Sequence, residues 1–310
     1  MTQKNVTQTL LNNIMTKASK SLEGETADYI PELANANHQL TAISVHQLGG
    51  PVIHAETQPT PPVTLQSVAK LIPLIGLLEE YGVEYIQKWV LFEPSGADFA
   101  SITRLEQFGP KPCNPMLNTG AITLCSLVPG VGEQKLAWMQ YWVKTLFGEK
   151  LNTNPMVLAS ERRTGDRNRS IAYLLKSRDN LCAGVTETLD LYFMLCSYEA
   201  TPKQMLHLAA ILANGGMCPT SQQQLISSDT TKTVLALMAT CGLYDDTGTH
   251  MVRCGMPAKS GVSGYILATL PNKAGIVTLS PLVNAKGNSI RGSLMLELLS
   301  RKMNWHFALP

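Results

Sequence analysis

Ser67 and Lys70 stand three positions apart in the apolar run TLQSVAKLIPL, residues 64–74. Residues i and i+3 share one face of a helix, so the two side chains can meet. A serine hydroxyl is a weak nucleophile until a base takes its proton. A lysine becomes that base when burial or a neighbouring cation depresses its pKa. The flanking Val68, Ala69, Leu71, Ile72 and Leu74 are apolar enough to bury it. If Ser67 opens the helix, the N–H groups exposed at that end also favour developing negative charge. The structural alternative is a capping serine with a snorkelling lysine. Pro73 would either kink a helix beside Lys70 or follow a short helix that ends there.

A second element, AKSGVSG at 258–264, lies near the other end of the chain. Glycines on an edge-like strand let a substrate approach the backbone. One N–H there can complete an oxyanion hole with the N–H of the nucleophile. Lys-Ser-Gly resembles the K-T-G element that accompanies S-x-x-K in penicillin-recognising serine enzymes. The structural alternative is a glycine-rich strand with a surface lysine. Both elements occur in the expected order, each on the expected secondary structure, and together they favour acyl transfer by an activated serine.

The elements that must position these residues follow from the pattern of apolar residues. An amphipathic helix spans about 3–21, and a hairpin of strands at about 40–47 and 51–57 turns at Gly49-Gly50. A helix begins at or near Ser67. From about 76 to 244 the spacing is mainly helical, with runs at 134–148, 169–177, 187–200, 202–216 and 229–242. Strand patterns return at 258–270 and 274–282, joined by PNKA as a second hairpin. A last helix, capped by Asn288 or Ser289, runs to about Lys302. Strands at both ends with helices between predict an α+β fold, not alternating βαβ units. The expected assembly is a single domain, 1–310. Residues 1–75 plus 245–310 form an α/β lobe around one antiparallel sheet, and 76–244 form an inserted helical lobe.

Composition narrows the function classes. The 310 residues are 45% hydrophobic and 15% charged, with a net charge of +2, which fits a sizeable core. Arg162, Arg163, Arg167 and Arg169 are interleaved with Glu161 and Asp166. They read as a solvated or anion-binding loop rather than a nucleic-acid footprint. The N-terminus is too polar for a signal peptide, and no apolar run of about 18 residues predicts a membrane span. Seven cysteines, an odd number without a C-x-x-C pair, read as reduced thiols in the cytoplasm. Six histidines show no metal-ligand spacing, PGVGEQK has no phosphate-cradle spacing, and G-x-S-x-G is absent. No metal or organic cofactor is expected.

Over most of its length the chain resembles the serine-dependent, bacterial-type glutaminases, which share the β-lactamase-like fold. The resemblance rests on ADYIPELA (27–34), LQSVAK, EPSGADF (93–99), NPMLNTGAI (114–122), SERRTGDRNRS (160–170), CGLYDDTG (241–248), AKSGVSG and GNSIRGS (287–293). It implies that Ser67 is the nucleophile, Lys70 its base, and Tyr244 an assistant in proton transfer. It also implies a glutamine site lined by Tyr29, Asn118, Glu161, Asn168, Tyr192 and Val262, with the Val262 backbone in the oxyanion hole. The chemistry is compatible: Glu161 can pair with an α-ammonium, while Asn and Tyr can donate to a carboxylate and an amide. Two departures stand out. Ala100 occupies a position where the family usually has Asn, and the S-D-N element of class A β-lactamases has no counterpart.

The resemblance thus implies hydrolysis of L-glutamine to L-glutamate and ammonia, by a homodimer or homotetramer with no nucleic-acid or membrane partner. One rival is another serine hydrolase of this fold, which would turn over a chromogenic β-lactam. The other is a catalytically silent amino-acid-binding module, which would bind glutamine without releasing ammonia. The presence of both Ser67 and Lys70 speaks against the second.

Overall fold

The computed structural model describes residues 5–96, 102, 105–106 and 109–309. The chain begins with helix α1 (Gln8–Ala18) and a single turn, α2 (Pro31–Ala34). Strands β1 (Ala42–Gln47), β2 (Val52–Glu56) and β3 (Val63–Thr64) follow, then a 3₁₀ turn (Gln66–Lys70) that runs into α3 (Leu71–Gln87). Next come α4 (Asn118–Leu127), α5 (Glu133–Phe147), α6 (Pro155–Thr164), α7 (Asp166–Ser177) and α8 (Val185–Ser197). Strand β4 (Glu199–Ala200), α9 (Pro202–Ala213) and α10 (Ser228–Cys241) lead to a second 3₁₀ turn (Tyr244–Asp246) and α11 (Thr247–Cys254). Strands β5 (Ala258–Ser260), β6 (Tyr265–Leu270) and β7 (Ala274–Leu279) and helix α12 (Ile290–Met303) complete the chain.

Both chain ends contribute to one antiparallel sheet, in the order β2-β1-β7-β6-β5. The sheet is covered on both faces, so every residue of β6 and β7 is buried. Alternation still assigns each side chain to a layer. Ile266, Ala268, Leu270 and Ile276 join α1 and α12 in one core. Tyr265, Leu267, Val277 and Leu279 face the larger core, built with α3, α4, α8 and α9. Helix α9 lies close against β7 because Gly275 has no side chain: a Cβ there would come within 2.5 Å of the Ala209 and Ala210 backbone.

Most expected elements form, with shifts at their ends. Ser289, not Asn288, caps α12: its side chain accepts from the Gly292 N–H. Asn288 instead donates to the Leu243 carbonyl and to Asp246. The helix expected to run to residue 200 stops at Ser197. Residues 199–200 pair with Val63–Thr64 instead, and Pro202 disfavours helical backbone in the residue before it. That small ladder matters for the site. It fixes the strand leading into Ser67, and the Leu65 N–H bonds the Tyr198 carbonyl at 2.7 Å.

Candidate active site

Ser67 sits in the 3₁₀ turn rather than at an α-helical N-terminus. The turn opens with Gln66 at φ 47°, a left-handed conformation that a non-glycine residue adopts at some cost. In a 3₁₀ turn residues i and i+3 eclipse, so Ser67 and Lys70 project from the same side. Pro73 falls in the first turn of α3, where its missing N–H is tolerated, so the helix continues past it. The interruption comes later, at Gly82 with φ 74°.

Lys70 is only 1% exposed and does not snorkel. Its Nζ donates to the Met116 carbonyl at 3.0 Å and to Asn118 Oδ1 at 2.7 Å. Asn118 begins α4 but does not cap it. The other end of its amide, Nδ2, donates to Asn168 Oδ1 at 3.0 Å. Three chain-distant segments, the Ser67 turn, α4 and α7, are thereby tied into one polar chain.

Strand β5 approaches from the other side. A Cβ on Gly261 would stand 2.7 Å from the Leu65 carbonyl and 3.3 Å from Val68 Cγ2, so only glycine lets this strand end lie beside the Ser67 turn. The next residue, Val262, lines the cavity. Lys259 is fully buried, so the surface-lysine alternative does not hold. Its Nζ donates to the Ser260 carbonyl at 2.6 Å, the Gly242 carbonyl at 3.2 Å and Tyr244 Oη at 3.3 Å. It also lies 4.4 Å from the centroid of the Tyr244 ring, and Lys70 Nζ lies 6.0 Å from the same centroid. Tyr244 is itself left-handed, at φ 53°. Its turn is braced by Asp246, which accepts from Asn284 and Asn288 and pairs with Lys286.

These elements enclose a cavity of about 230 Å³. That is below the roughly 300–1,000 Å³ usual for drug-sized ligands and suits one small metabolite. Tyr29, Ser67, Asn118, Glu161, Asn168, Tyr192 and Val262 all line it. Lys70 and Tyr244 stand behind this wall, Lys70 joined to it through Asn118. Sequence reasoning missed Gln66, which lines the cavity with its Nε2 buried and unpartnered among the described residues. Its place beside Ser67 was the one available signal. Lys259, part of the Lys-Ser-Gly element, stands beside Tyr244 and not in the cavity wall.

Tyr29 leaves much of its ring in solvent, yet its hydroxyl points inward to Gln66 Oε1 at 2.7 Å and Glu161 Oε1 at 3.1 Å. Burial pushes Glu161 above the usual carboxylate range, against the opposing hydrogen bond from Tyr29. Glu161 forms no salt bridge among the described residues, so its buried carboxylate faces the cavity without a cation of the protein's own. Burial, with Glu161 adding to it, holds the Tyr29 phenol well above its ordinary range. Burial does the same to Tyr192, reinforced by Cys196 and Glu161, so both phenols remain proton donors at neutral pH. Cys196 also lines the cavity, but burial and Glu161 push its thiol up. A protonated thiol is a poor nucleophile.

The glutaminase family model matches residues 24–307. Over 310 residues, with both chains fully covered, the sequence is 64% identical to the glutaminase of Legionella pneumophila strain Paris. The chain belongs to the glutaminase family. A glutaminase from Clostridium tetani strain Massachusetts / E88 is 39% identical over 96% of this chain and 98% of its own. A probable glutaminase from Bacillus subtilis, solved in complex with 6-diazo-5-oxo-L-norleucine, matches with a TM-score of 0.89 at 32% identity, covering 99% of this chain and 98% of that one. The fold is therefore the α+β, β-lactamase-like one expected, and the protein is an amidohydrolase acting on glutamine. Membership in the glutaminases sets aside the silent binding module. The Ala100 departure lies outside the described residues.

Proposed function

We propose that this glutaminase works through a Ser67–Lys70 acyl-enzyme mechanism. Ser67 Oγ attacks the side-chain amide carbon of L-glutamine while Lys70, assisted by Tyr244, takes its proton. The oxyanion rests on the N–H groups of Ser67 and Val262. The carbon–nitrogen bond breaks as that proton passes to the nitrogen, and ammonia leaves. Water then attacks the γ-glutamyl ester, again with Lys70 as base, and releases L-glutamate. Glu161 pairs with the substrate α-ammonium, while Tyr29, Asn168 and Tyr192 serve its carboxylate and amide. Asn118 holds the base against the substrate wall.

The observation that carries this reading is the setting of Lys70, a buried lysine whose Asn118 partner lines the same cavity as Ser67. The deciding experiment is labelling by an electrophilic glutamine analogue followed by peptide mapping. Label on Ser67, with Ser67→Ala binding glutamine but releasing no ammonia, supports the mechanism. Label on a cysteine, or ammonia release by Ser67→Ala, overturns it.

We also read the chain as one domain, with 76–244 as a helical lobe inserted in the α/β lobe of 1–75 and 245–310. A cytoplasmic setting fits the seven free cysteines. No helix among the described residues is long and apolar enough to cross a membrane. The working unit is taken to be a homodimer or homotetramer, which light scattering on the purified protein distinguishes from a monomer.

A further inference from the structure

Away from the substrate cavity, a second nucleophile stands beside a second base. Cys218 follows α9, and its Sγ lies 3.8 Å from Nε2 of His207, which α9 itself carries. We propose that Cys218 and His207 form a thiolate–imidazole pair, and that Cys218 is this chain's site of covalent modification by peroxides and soft electrophiles. Neither residue lines the Ser67 cavity, so the inference is independent of the mechanism proposed above.

The geometry first fixes a proton. His207 Nδ1 is 3.0 Å from the Leu146 carbonyl, and a carbonyl oxygen only accepts, so Nδ1 carries a hydrogen. In the neutral ring Nε2 is then a bare acceptor, and it is the atom that faces the sulfur. One proton is left for the pair. It sits on sulfur as a thiol, or on nitrogen as an imidazolium beside a thiolate.

The turn that follows Cys218, residues 219–221, favours the thiolate. Thr220 Oγ1 lies 3.2 Å from Sγ, and Thr220 and Ser221 offer the sulfur both hydroxyl and backbone N–H donors. Burial acts to raise the thiol, but these hydrogen bonds outweigh it and bring it down to about 6. Neither Cys218 nor His207 pairs with a carboxylate among the described residues. His46, on β1, is the other titratable group that senses His207. Burial, with His207 adding to it, holds His46 below the ordinary histidine range against a hydrogen bond with Gly50, so it brings no charge at neutral pH.

The pair lies just beneath the surface. Cys218 is 6% exposed, while Thr220 and Ser221 above it are exposed and His207 is partly so. Gly148, exposed at the end of α5 with φ 77°, approaches the same edge of the ring. A Cβ there would stand 3.3 Å from His207 Nε2, so the glycine keeps a side chain off the pair. The other thiols differ. Cys182 is exposed, yet burial outweighs Lys135 and pushes it up. Burial also raises Cys125, Cys196, Cys241 and Cys254. Thiolate character rather than exposure therefore selects Cys218.

With hydrogen peroxide the step balances. The thiolate sulfur attacks one peroxide oxygen, the O–O bond breaks, and the departing hydroxide takes the proton held at His207. Cysteine sulfenic acid and water result. Sulfur is oxidised by two electrons, and the peroxide is reduced by the same two.

The test is the initial rate of iodoacetamide labelling at each cysteine of the folded protein, mapped by peptide mass spectrometry from about pH 5 to 9. Dimedone trapping after hydrogen peroxide is mapped in the same way. At pH 6 a thiol brought down to about 6 is half thiolate, and one raised above 9.0 is less than about one part in a thousand. The lower nucleophilicity of the weaker base offsets about 20-fold of that difference. Cys218 is therefore expected to be labelled at least about tenfold faster than Cys182 at pH 6, and to carry the first dimedone adduct. Thr220→Val and His207→Gln each remove one partner of the sulfur. With an unchanged unfolding transition, each is expected to move the Cys218 inflection up by about one pH unit. Should either variant not fold, the wild-type comparison of Cys218 with Cys182 decides alone. Labelling led by Cys182 or Cys113, or no reaction at Cys218, overturns the inference. An inflection that both variants leave in place overturns it as well.

Discussion

Lys70 Nζ and Asn118 Oδ1 are 2.7 Å apart, and the other end of the Asn118 amide is bonded to Asn168. The proposed base is thus oriented by a neutral amide that also lines the substrate cavity. Neutrality is the point, because a carboxylate in the same place would stabilise the lysine's charged form. Asn118→Asp is therefore expected to lower kcat by about 10²–10⁴, the usual span for disabling a general base. The acid limb of the rate profile should move upward at the same time. Steady-state ammonia release across pH checks both, and a near-normal kcat at neutral pH would count against Lys70 acting as base.

Glu161 gives a pH dependence with a definite sign. Burial raises its folded-state pKa above the ordinary 4.5, so the folded protein holds that proton more tightly than the unfolded chain. In the ligand-free enzyme its contribution to stability falls as pH rises from about 4.5 through the raised value. Glutamine binding should reverse this, because the substrate ammonium favours the carboxylate. Binding is then accompanied by proton release within that window, and it weakens as pH falls through it. Calorimetry in two buffers of different ionisation enthalpy measures the released proton. Glu161→Gln should abolish the release and weaken binding by about 2–5 kcal/mol, the scale for truncating one member of a buried charge pair.

Gly261 has a purely steric role that can be tested with one methyl group. A Cβ there meets the Leu65 carbonyl at 2.7 Å, and backbone cannot yield as a flexible side chain can. Gly261→Ala is expected to push Val262 away from Ser67 while the sheet persists. Misplacing reacting groups by about 1 Å can cost 10²-fold in rate. A kcat loss of that order with a cooperative unfolding transition is the expected outcome. A fully active alanine variant would show that the close approach is not needed for catalysis.

Asp246 holds the turn that carries Tyr244. Burial acts to raise its pKa, but hydrogen bonds from Asn284, Lys286 and Asn288 outweigh this and hold it below the ordinary 3.8. Its stabilising contribution is present above that value and is lost as pH falls toward the folded-state one. Asp246→Ala leaves the Asn284 and Asn288 donors without their acceptor and should cost about 1–3 kcal/mol of stability. Because the left-handed Tyr244 depends on this turn, kcat should fall more than KM rises. Chemical denaturation and steady-state kinetics on one preparation test the pair.

The sequence by itself determined most of the local elements and singled out the candidate reacting groups. Alternation in the hairpin of β1 and β2, the β-rich runs of β6 and β7, helical spacing in α5, α9 and α10, and the Ser-Lys pair at i and i+3 are all local signals. Most of the cavity wall was legible too, because the resemblance marked Tyr29, Asn118, Glu161, Asn168, Tyr192 and Val262. What tertiary structure alone decided was the setting of each group. Lys70 might have snorkelled, Asn118 might have capped its helix, and Lys259 might have pointed to water. None of these outcomes is written in neighbouring residues, because burial and hydrogen-bond partners come from segments far apart in the chain. Asn118 lies 48 positions from Lys70, and Tyr244 lies 15 from Lys259. The sheet that joins both chain ends brings β5 beside the Ser67 turn. Only that enclosed, low-dielectric space brings the serine, its buried lysine and the cavity wall together, because a low dielectric sharpens every interaction among them.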